Sequence, residues 1–400
     1  MKILLIDDSA FDLDLLAHHL ADLNATDVTC MLHAADALAL LADGGERFDI
    51  VVCDLQMPGV DGIELVRALA RTNYAGDLIL ATGEDASILR AAEGLARAHG
   101  LRLLGGLQKP VTHEALRDLL VRRGDGVATR LRADRTVYDP DDLRRAIAED
   151  EIVCHCQPKV QLATGVIVGV EMLARWHHPD DGLVFPDQFI PAAEAHGLIN
   201  DLTRAVLNDA LAHARRWRQA GLEHSVAVNV SVDDLGRVDL PDIVAGALTQ
   251  AGVPPSGLLL EVTESRLMQD ARTVLDVLTR LRLKRIELSI DDFGTGHSSL
   301  AQLLGLPFTE LKIDHGFVHG AHDDPQRATI LDASLDMARR LGLRSVGEGV
   351  EDIDDWNYLR AHGCDFAQGF FIARPMPPAE LTDWLPEWER RRRELVVTES

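Results

Sequence analysis

Short apolar runs without polar alternation recur along the chain, and each is followed by a stretch with apolar positions three and four apart. In the first 122 residues the runs are KILLI (2–6), VTCML (28–32), FDIVVCD (48–54), LILAT (78–82) and LRLLGGL (101–107). Leu13, Leu16 and Leu20 show the helical spacing, as do Ile63, Val66 and Leu69. A strand that does not alternate is buried on both faces, the situation of a parallel sheet covered by helices. Five such units predict a doubly wound α/β domain over residues 1–122.

Residues 123–138 lack apolar periodicity and mix Gly, Arg and Asp, which reads as a linker. Asp139-Pro140 then opens a helix, with Asp139 as N-cap and Pro140 at the first position. Strand–helix alternation resumes over 139–385, with strands expected at 152–157, 166–173, 226–231, 258–263, 286–291, 310–314, 343–348 and 365–371. Eight strands in about 250 residues match a (β/α)8 barrel. Residues 386–400, with the run Arg390–Arg393, read as a solvated helix end and tail. The net charge of −24 divides into −9 for the first 122 residues and −15 for the rest. That disfavours binding to DNA or anionic lipid by bulk charge, and no basic helix-turn-helix module follows the first domain. No apolar run of 18 residues and no signal-peptide pattern is present, and five cysteines do not make a disulfide framework. A cytoplasmic protein with no membrane contact is expected.

Carboxylates cluster where an open parallel sheet binds ligands, at the carboxyl ends of its strands. Asp7 and Asp8 end the first run, Asp54 ends the third, Thr82 ends the fourth and Lys109 follows the fifth. Three carboxylates there repel one another unless a cation intervenes, and oxygen ligands suit Mg2+. An exposed aspartate beside the metal can accept a phosphoryl group, with an ammonium and a hydroxyl to receive its oxygens. The set Asp7-Asp8, DLQMPGVDG (54–62), Thr82 and Lys109-Pro110 resembles the receiver domain of two-component response regulators, a flavodoxin-like fold. The resemblance implies that Asp54 takes phosphate from a histidine kinase. Asp7 and Asp8 would hold Mg2+, and Thr82 and Lys109 would sense the phosphoryl group. Gly106 stands where the family usually has an aromatic residue, so the usual threonine–aromatic relay is not carried over.

The second domain repeats the pattern on a larger scale. Glu171, Asn229, Glu261, Asp291-Asp292, Lys312, Glu348 and Gln368 sit on or just after seven different expected strands. In a barrel these ends meet at one mouth. Five or more carboxylates cannot stay ionised together without cations. Oxygen donors without His or Cys favour Mg2+ or Mn2+. Two such ions roughly 3.5–4 Å apart can drive in-line attack at phosphorus.

EMLAR (171–175), NVS (229–231), EVTES (261–265), DDFGTG (291–296), LKID (311–314), EGVE (348–351) and QGF (368–370) resemble the EAL domain family, TIM-like barrels that hydrolyse cyclic di-GMP. The resemblance implies hydrolysis of one phosphodiester bond to linear pGpG with two Mg2+ or Mn2+ ions. Glu171, Asn229, Glu261 and Asp291 would hold one ion; Asp291, Asp292 and Glu348 would hold or flank the other. Lys312 would orient or stabilise the attacking water, and Asp314 would position Lys312. The general base is left open between Glu348 and a metal-bound hydroxide beside Lys312. Arg175 and Gln157 would contact substrate, Gln368 would hydrogen-bond near the metals, and Glu351 would complete the substrate-binding set. Glu264 would anchor the loop 293–299, which in the family couples the site to a dimer interface; a homodimer or higher oligomer is expected.

Departures from the family pattern are mild: Met172 and Gly347 replace commoner alanines, and His297 replaces a frequent aromatic. Cys154-His155-Cys156 is not a metal trio, because strand alternation puts His155 opposite the cysteines. The alternatives are an inactive cyclic di-GMP receptor and a docking scaffold. The complete set of metal ligands and the lysine disfavours both. Phosphorylation is expected to raise activity.

Overall fold

The computed structural model describes residues 1–23, 25, 27–42, 48–72, 74–83, 86–117, 119–120, 138–263, 271–294 and 305–397. The chain divides into two units, Met1–Arg135 and Thr136–Ser400. In the first, the five apolar runs form β1 (Lys2–Ile6), β2 (Asp27–Met31), β3 (Ile50–Asp54), β4 (Asp77–Thr82) and β5 (Arg102–Gln108). They make one parallel sheet in the order β2-β1-β3-β4-β5. Successive residues of each strand serve opposite cores. Ile3, Leu5, Ile50 and Val52 pack with Leu13, Leu16 and Leu20 on one face. Leu4, Ile6, Val51 and Cys53 pack with Leu65, Val66 and Leu69 on the other. Two covered faces explain the missing alternation. Ser9 caps the helix Ala10–Asp22 by accepting from Asp12 N–H at 3.2 Å, and this fixes how the chain leaves β1.

In the second unit, Asp139 caps the helix Pro140–Ala148 by accepting from Asp141 N–H at 2.8 Å. The strands are β6 (Ile152–Gln161), β7 (Ile167–His178), β8 (Gly182–Val184), β9 (Ser225–Asn229), β10 (Leu258–Thr263), β11 (Glu287–Phe293), β12 (Glu310–Ile313), β13 (Arg344–Gly347) and β14 (Phe366–Ala367). The order β6-β14-β13-β12-β11-β10-β9-β7, with β6 also paired to β7, closes a barrel, and β8 extends β7 outside it. Count and closure match the expected barrel. Direction differs at one strand: β6 runs antiparallel to both β7 and β14. The cause is local. Only residues 162–166 separate β6 from β7, too few for the crossover that parallel neighbours require.

Two expected boundaries move. Tyr138 belongs to the barrel unit rather than the linker: it is buried, its ring lies 4.6 Å from Trp176 and its hydroxyl donates to Asp181 at 3.2 Å. The rest of the linker lies outside the described residues. The expected break at 385/386 falls inside the helix Leu381–Val397. That segment is no solvated tail at its start. Trp388 is buried and donates from Nε1 to Gly165 O at 2.8 Å, and Arg391 lies over Phe371 at 4.2 Å. Cys154 and Cys156 are buried, as strand alternation requires. No described helix is long and apolar enough to cross a membrane.

Candidate active site

Strand register assembles the barrel mouth. Gln157 pairs with Glu171 across β6–β7, and Glu261 lies beside Asn229 and Ser289 on its two neighbours. Lys312 on β12 is 1% exposed. Its Nζ lies 2.8 Å from Glu348, 2.9 Å from Asp291, 3.0 Å from Glu261 and 3.3 Å from Glu171. The four carboxylates come from four places in the sequence and converge on one ammonium. Burial opposes the charge on Lys312, but the surrounding carboxylates outweigh it and hold the group well above its ordinary range.

One ammonium cannot balance four carboxylates, and the titration behaviour reflects this. Burial opposes ionisation of Glu171 as well. Lys312, with hydrogen bonds from Gln368 Nε2 (2.7 Å) and Asn229 Nδ2 (3.0 Å), nonetheless keeps it ionised below the usual value. Glu261 is pushed well up by burial and by Glu171. Glu348 is pushed up to about 8 by burial, against the pull of Lys312. Burial and Asp291 raise Asp292 to about 6.

A break in β11 brings the last carboxylate in. The register with β12 shifts between Ile290 and Phe293, and Asp292 takes the left-handed conformation, φ 54°. On a regular strand Asp291 and Asp292 would face opposite sides. Here Asp291, Asp292 and Glu348 each offer an oxygen within 4.8 Å of the others. Asp291 Oδ1 is buried and receives no directed hydrogen bond, despite its closeness to Lys312. An unsatisfied carboxylate oxygen within an all-oxygen set fits a hard divalent cation.

The substrate-binding candidates fall in two groups. Gln157, Gln368, Glu351, Glu171 and Glu348 line a cavity of 250 Å3. Gln368 Nε2 also reaches Gln157 Oε1 at 3.2 Å, and Gln157 donates to Ala373 O at 3.1 Å. Arg175 is buried, lies over the Phe185 ring at 5.0 Å and donates from one terminal nitrogen to Ala174 O at 2.7 Å; among the described residues it makes no ion pair and its Nε has no hydrogen-bond partner. A buried guanidinium with an unused donor suits an anionic ligand. Asp314 departs from expectation. It makes no ion pair with Lys312, and instead caps the helix His315–Val318 by accepting from Gly316 N–H at 2.9 Å. An Asp at a strand end readily accepts from the backbone N–H two residues on, and that local bond wins. Glu264 and loop residues 295–299 lie outside the described residues.

The first unit carries a smaller version. Lys109 Nζ lies 2.7 Å from Asp7, 2.9 Å from Asp54 and 3.2 Å from Asp12. Burial opposes its charge, but hydrogen bonds to Asp7 and Asp54 raise the group. Asp7, Asp8 and Asp54 offer oxygens within 4.8 Å of one another, and Thr82 is buried at the end of β4. Asp12 was not expected. The available signal was its place one helical turn beyond Asp8. At Gly106 an added Cβ would meet Leu89 and Glu93 at 2.7 Å, so the helix Ala86–Ala98 takes the space an aromatic side chain would need.

Comparison with known proteins bears on both units. Residues 140–375 match the EAL domain and residues 3–121 match the response regulator receiver domain. The cyclic di-GMP phosphodiesterase RocR of Pseudomonas aeruginosa is 34% identical over 88% of this chain and 91% of its own length. The cyclic di-GMP phosphodiesterase NbdA of the same organism is 41% identical over 64% of this chain, which spans 33% of that protein. The solved structure of the PaMucR phosphodiesterase in complex with c-di-GMP is 43% identical, covering 60% of this chain and 98% of that one, with a TM-score of 0.58. The chain therefore belongs to the EAL domain family and carries a response regulator receiver domain ahead of its barrel.

Proposed function

We propose that this protein is a response regulator whose barrel hydrolyses cyclic di-GMP to linear pGpG, under control of phosphorylation at Asp54. The observation that carries the reading is the convergence of Glu171, Glu261, Asp291 and Glu348 on Lys312 at the barrel mouth. Glu171, Asn229, Glu261 and Asp291 would hold one divalent ion, and Asp291, Asp292 and Glu348 the other. Mg2+ or Mn2+ bound there supplies Lewis acidity and a nucleophile at neutral pH. Arg175 orients the scissile phosphate with its unused donor. Lys312 opposes the negative charge that grows on the phosphoryl oxygens. Gln368 and Asn229 fix Glu171, so the ligand set is held before substrate arrives. Glu348 takes the proton of the attacking water at its carboxylate, which bound cations would keep ionised.

In the receiver, Asp54 is the phosphoacceptor from a histidine kinase, Asp7 and Asp8 hold Mg2+, and Lys109 meets the phosphoryl oxygens beside Thr82. A homodimer through the barrel and a cytoplasmic location complete the reading; all five cysteines are free thiols. The test is incubation of purified protein with cyclic di-GMP and Mg2+ or Mn2+, with pGpG as readout. Turnover is expected. Binding without pGpG would replace the enzyme by a receptor.

A further inference from the structure

A cyclic dinucleotide carries two phosphates, and the metals, Arg175 and Lys312 answer only the one that is cleaved. The 250 Å3 cavity beside the metal ligands is walled by three carboxylates and two neutral amides, so a second phosphate there needs a donor of its own. Among the described residues that line it, His315 is the one ionisable base.

His315 is half exposed, yet its ring is held from three sides. Its Nε2 lies 3.3 Å from Glu351, and the ring stacks on His319 at 5.5 Å with an interplanar angle of 12°. It also rests on Gly349, where an added Cβ would meet the ring's Cδ2 at 2.3 Å, and Gly349 has φ +63°. The support continues inward. His319 Nδ1 lies 2.8 Å from the buried Asp355. Asp355 also accepts the backbone N–H groups of Glu351 and Gly320, each at 3.0 Å. Ordering an exposed side chain costs conformational entropy, and here a buried carboxylate, a stacked ring and a bare glycine are all arranged to do it. With Nε2 beside Glu351, Nδ1 is the second polar atom of a ring that lines the cavity.

We propose that His315, steadied by Glu351, His319 and Gly349, binds the phosphate that is not cleaved and so selects cyclic dinucleotides over diesters with a single phosphate. This rests on the barrel being a cyclic di-GMP phosphodiesterase, and it makes Glu351 a positioning residue rather than a direct contact. The test compares wild type, His315→Gln and His315→Lys in steady-state turnover of cyclic di-GMP with Mn2+. Inhibition by the single-phosphate dinucleotide GpG serves as the second probe. His315→Gln is expected to raise KM for cyclic di-GMP about tenfold with kcat within about twofold. The Ki of GpG should stay unchanged, and His315→Lys should recover most of the loss. An unchanged KM, an equal loss of affinity for GpG, or failure of lysine to rescue overturns the assignment. Absence of turnover by the wild type would instead sink the phosphodiesterase reading on which it stands.

Discussion

Both units place a lysine among carboxylates at strand ends, but they differ in enclosure. Lys109 is 15% exposed and touches three carboxylates from one side of an open sheet. Lys312 is 1% exposed and is ringed by four inside a closed barrel. Coulomb energies scale inversely with the local dielectric, so the same charges weigh more in the barrel. The open pocket suits a group that is added and removed; the closed one suits a permanently assembled centre. Under the proposed function, open geometry serves switching and closed geometry serves chemistry.

The largest expected break of this contrast is Lys312→Ala. It should lower kcat by about 100- to 1000-fold and cost about 3–5 kcal/mol of stability, because it strands buried carboxylates. Steady-state kinetics and urea unfolding measure both. Lys109→Ala should leave basal turnover nearly intact. Near-full activity in Lys312→Ala would remove the lysine from the site.

Next in size is the receiver's effect on the barrel. A small-molecule phosphodonor should raise turnover by about fivefold or more, the usual range of coupling between sites, and Asp54→Asn should abolish the rise. Equal rates with and without the donor would separate the two units functionally.

The pH dependence sharpens the barrel side. Asp292 and Glu348 are raised to about 6 and about 8, from ordinary values of 3.8 and 4.5. Carboxyl groups raised in the folded state contribute stability below their unfolded values and lose it as pH climbs through the folded ones. Metal-free protein in EDTA should therefore melt lower at pH 8.5 than at pH 5.5. Divalent cations bind the ionised form, so the gain in Tm from Mg2+ or Mn2+ should widen across the same window. A gain that shrinks with pH would argue against these groups as ligands.

The smallest effect belongs to Asp12. Its partly exposed pair with Lys109 is worth about 0.2–1 kcal/mol. Asp12→Asn should remove one of the three carboxylates around the ammonium and speed labelling of Asp54 by a phosphodonor by about 1.5- to 5-fold, read by mass spectrometry. Slower labelling would give Asp12 a supporting role instead.

What could be read from the residues alone follows the range of the forces involved. Burial on two faces writes itself into a run such as IVVCD, and so the strands were legible. Strand direction is not written there: β6 looks like any other strand, and only its short connection to β7 betrays the reversal. The residues at strand ends were legible as a set because ligands gather there in both architectures. Their individual partners were not. Asp314 answered to a backbone N–H two residues away, and the irregularity that aims Asp292 has no side-chain signature. Trp388 docks on a turn more than two hundred residues earlier, a contact no local pattern announces.

The seam between β6 and β14 has a consequence for synthesis. Gln157 waits for Gln368 and Ala373, 211 and 216 positions downstream, before its amide is satisfied. Until the ribosome has delivered the final strand, the nascent hairpin keeps one raw edge and the half-ring of acids has no lid of pairing around it. A chain interrupted anywhere before Phe366 would thus be an unclosed, sticky sheet rather than a weaker enzyme, and quality control would meet it as such.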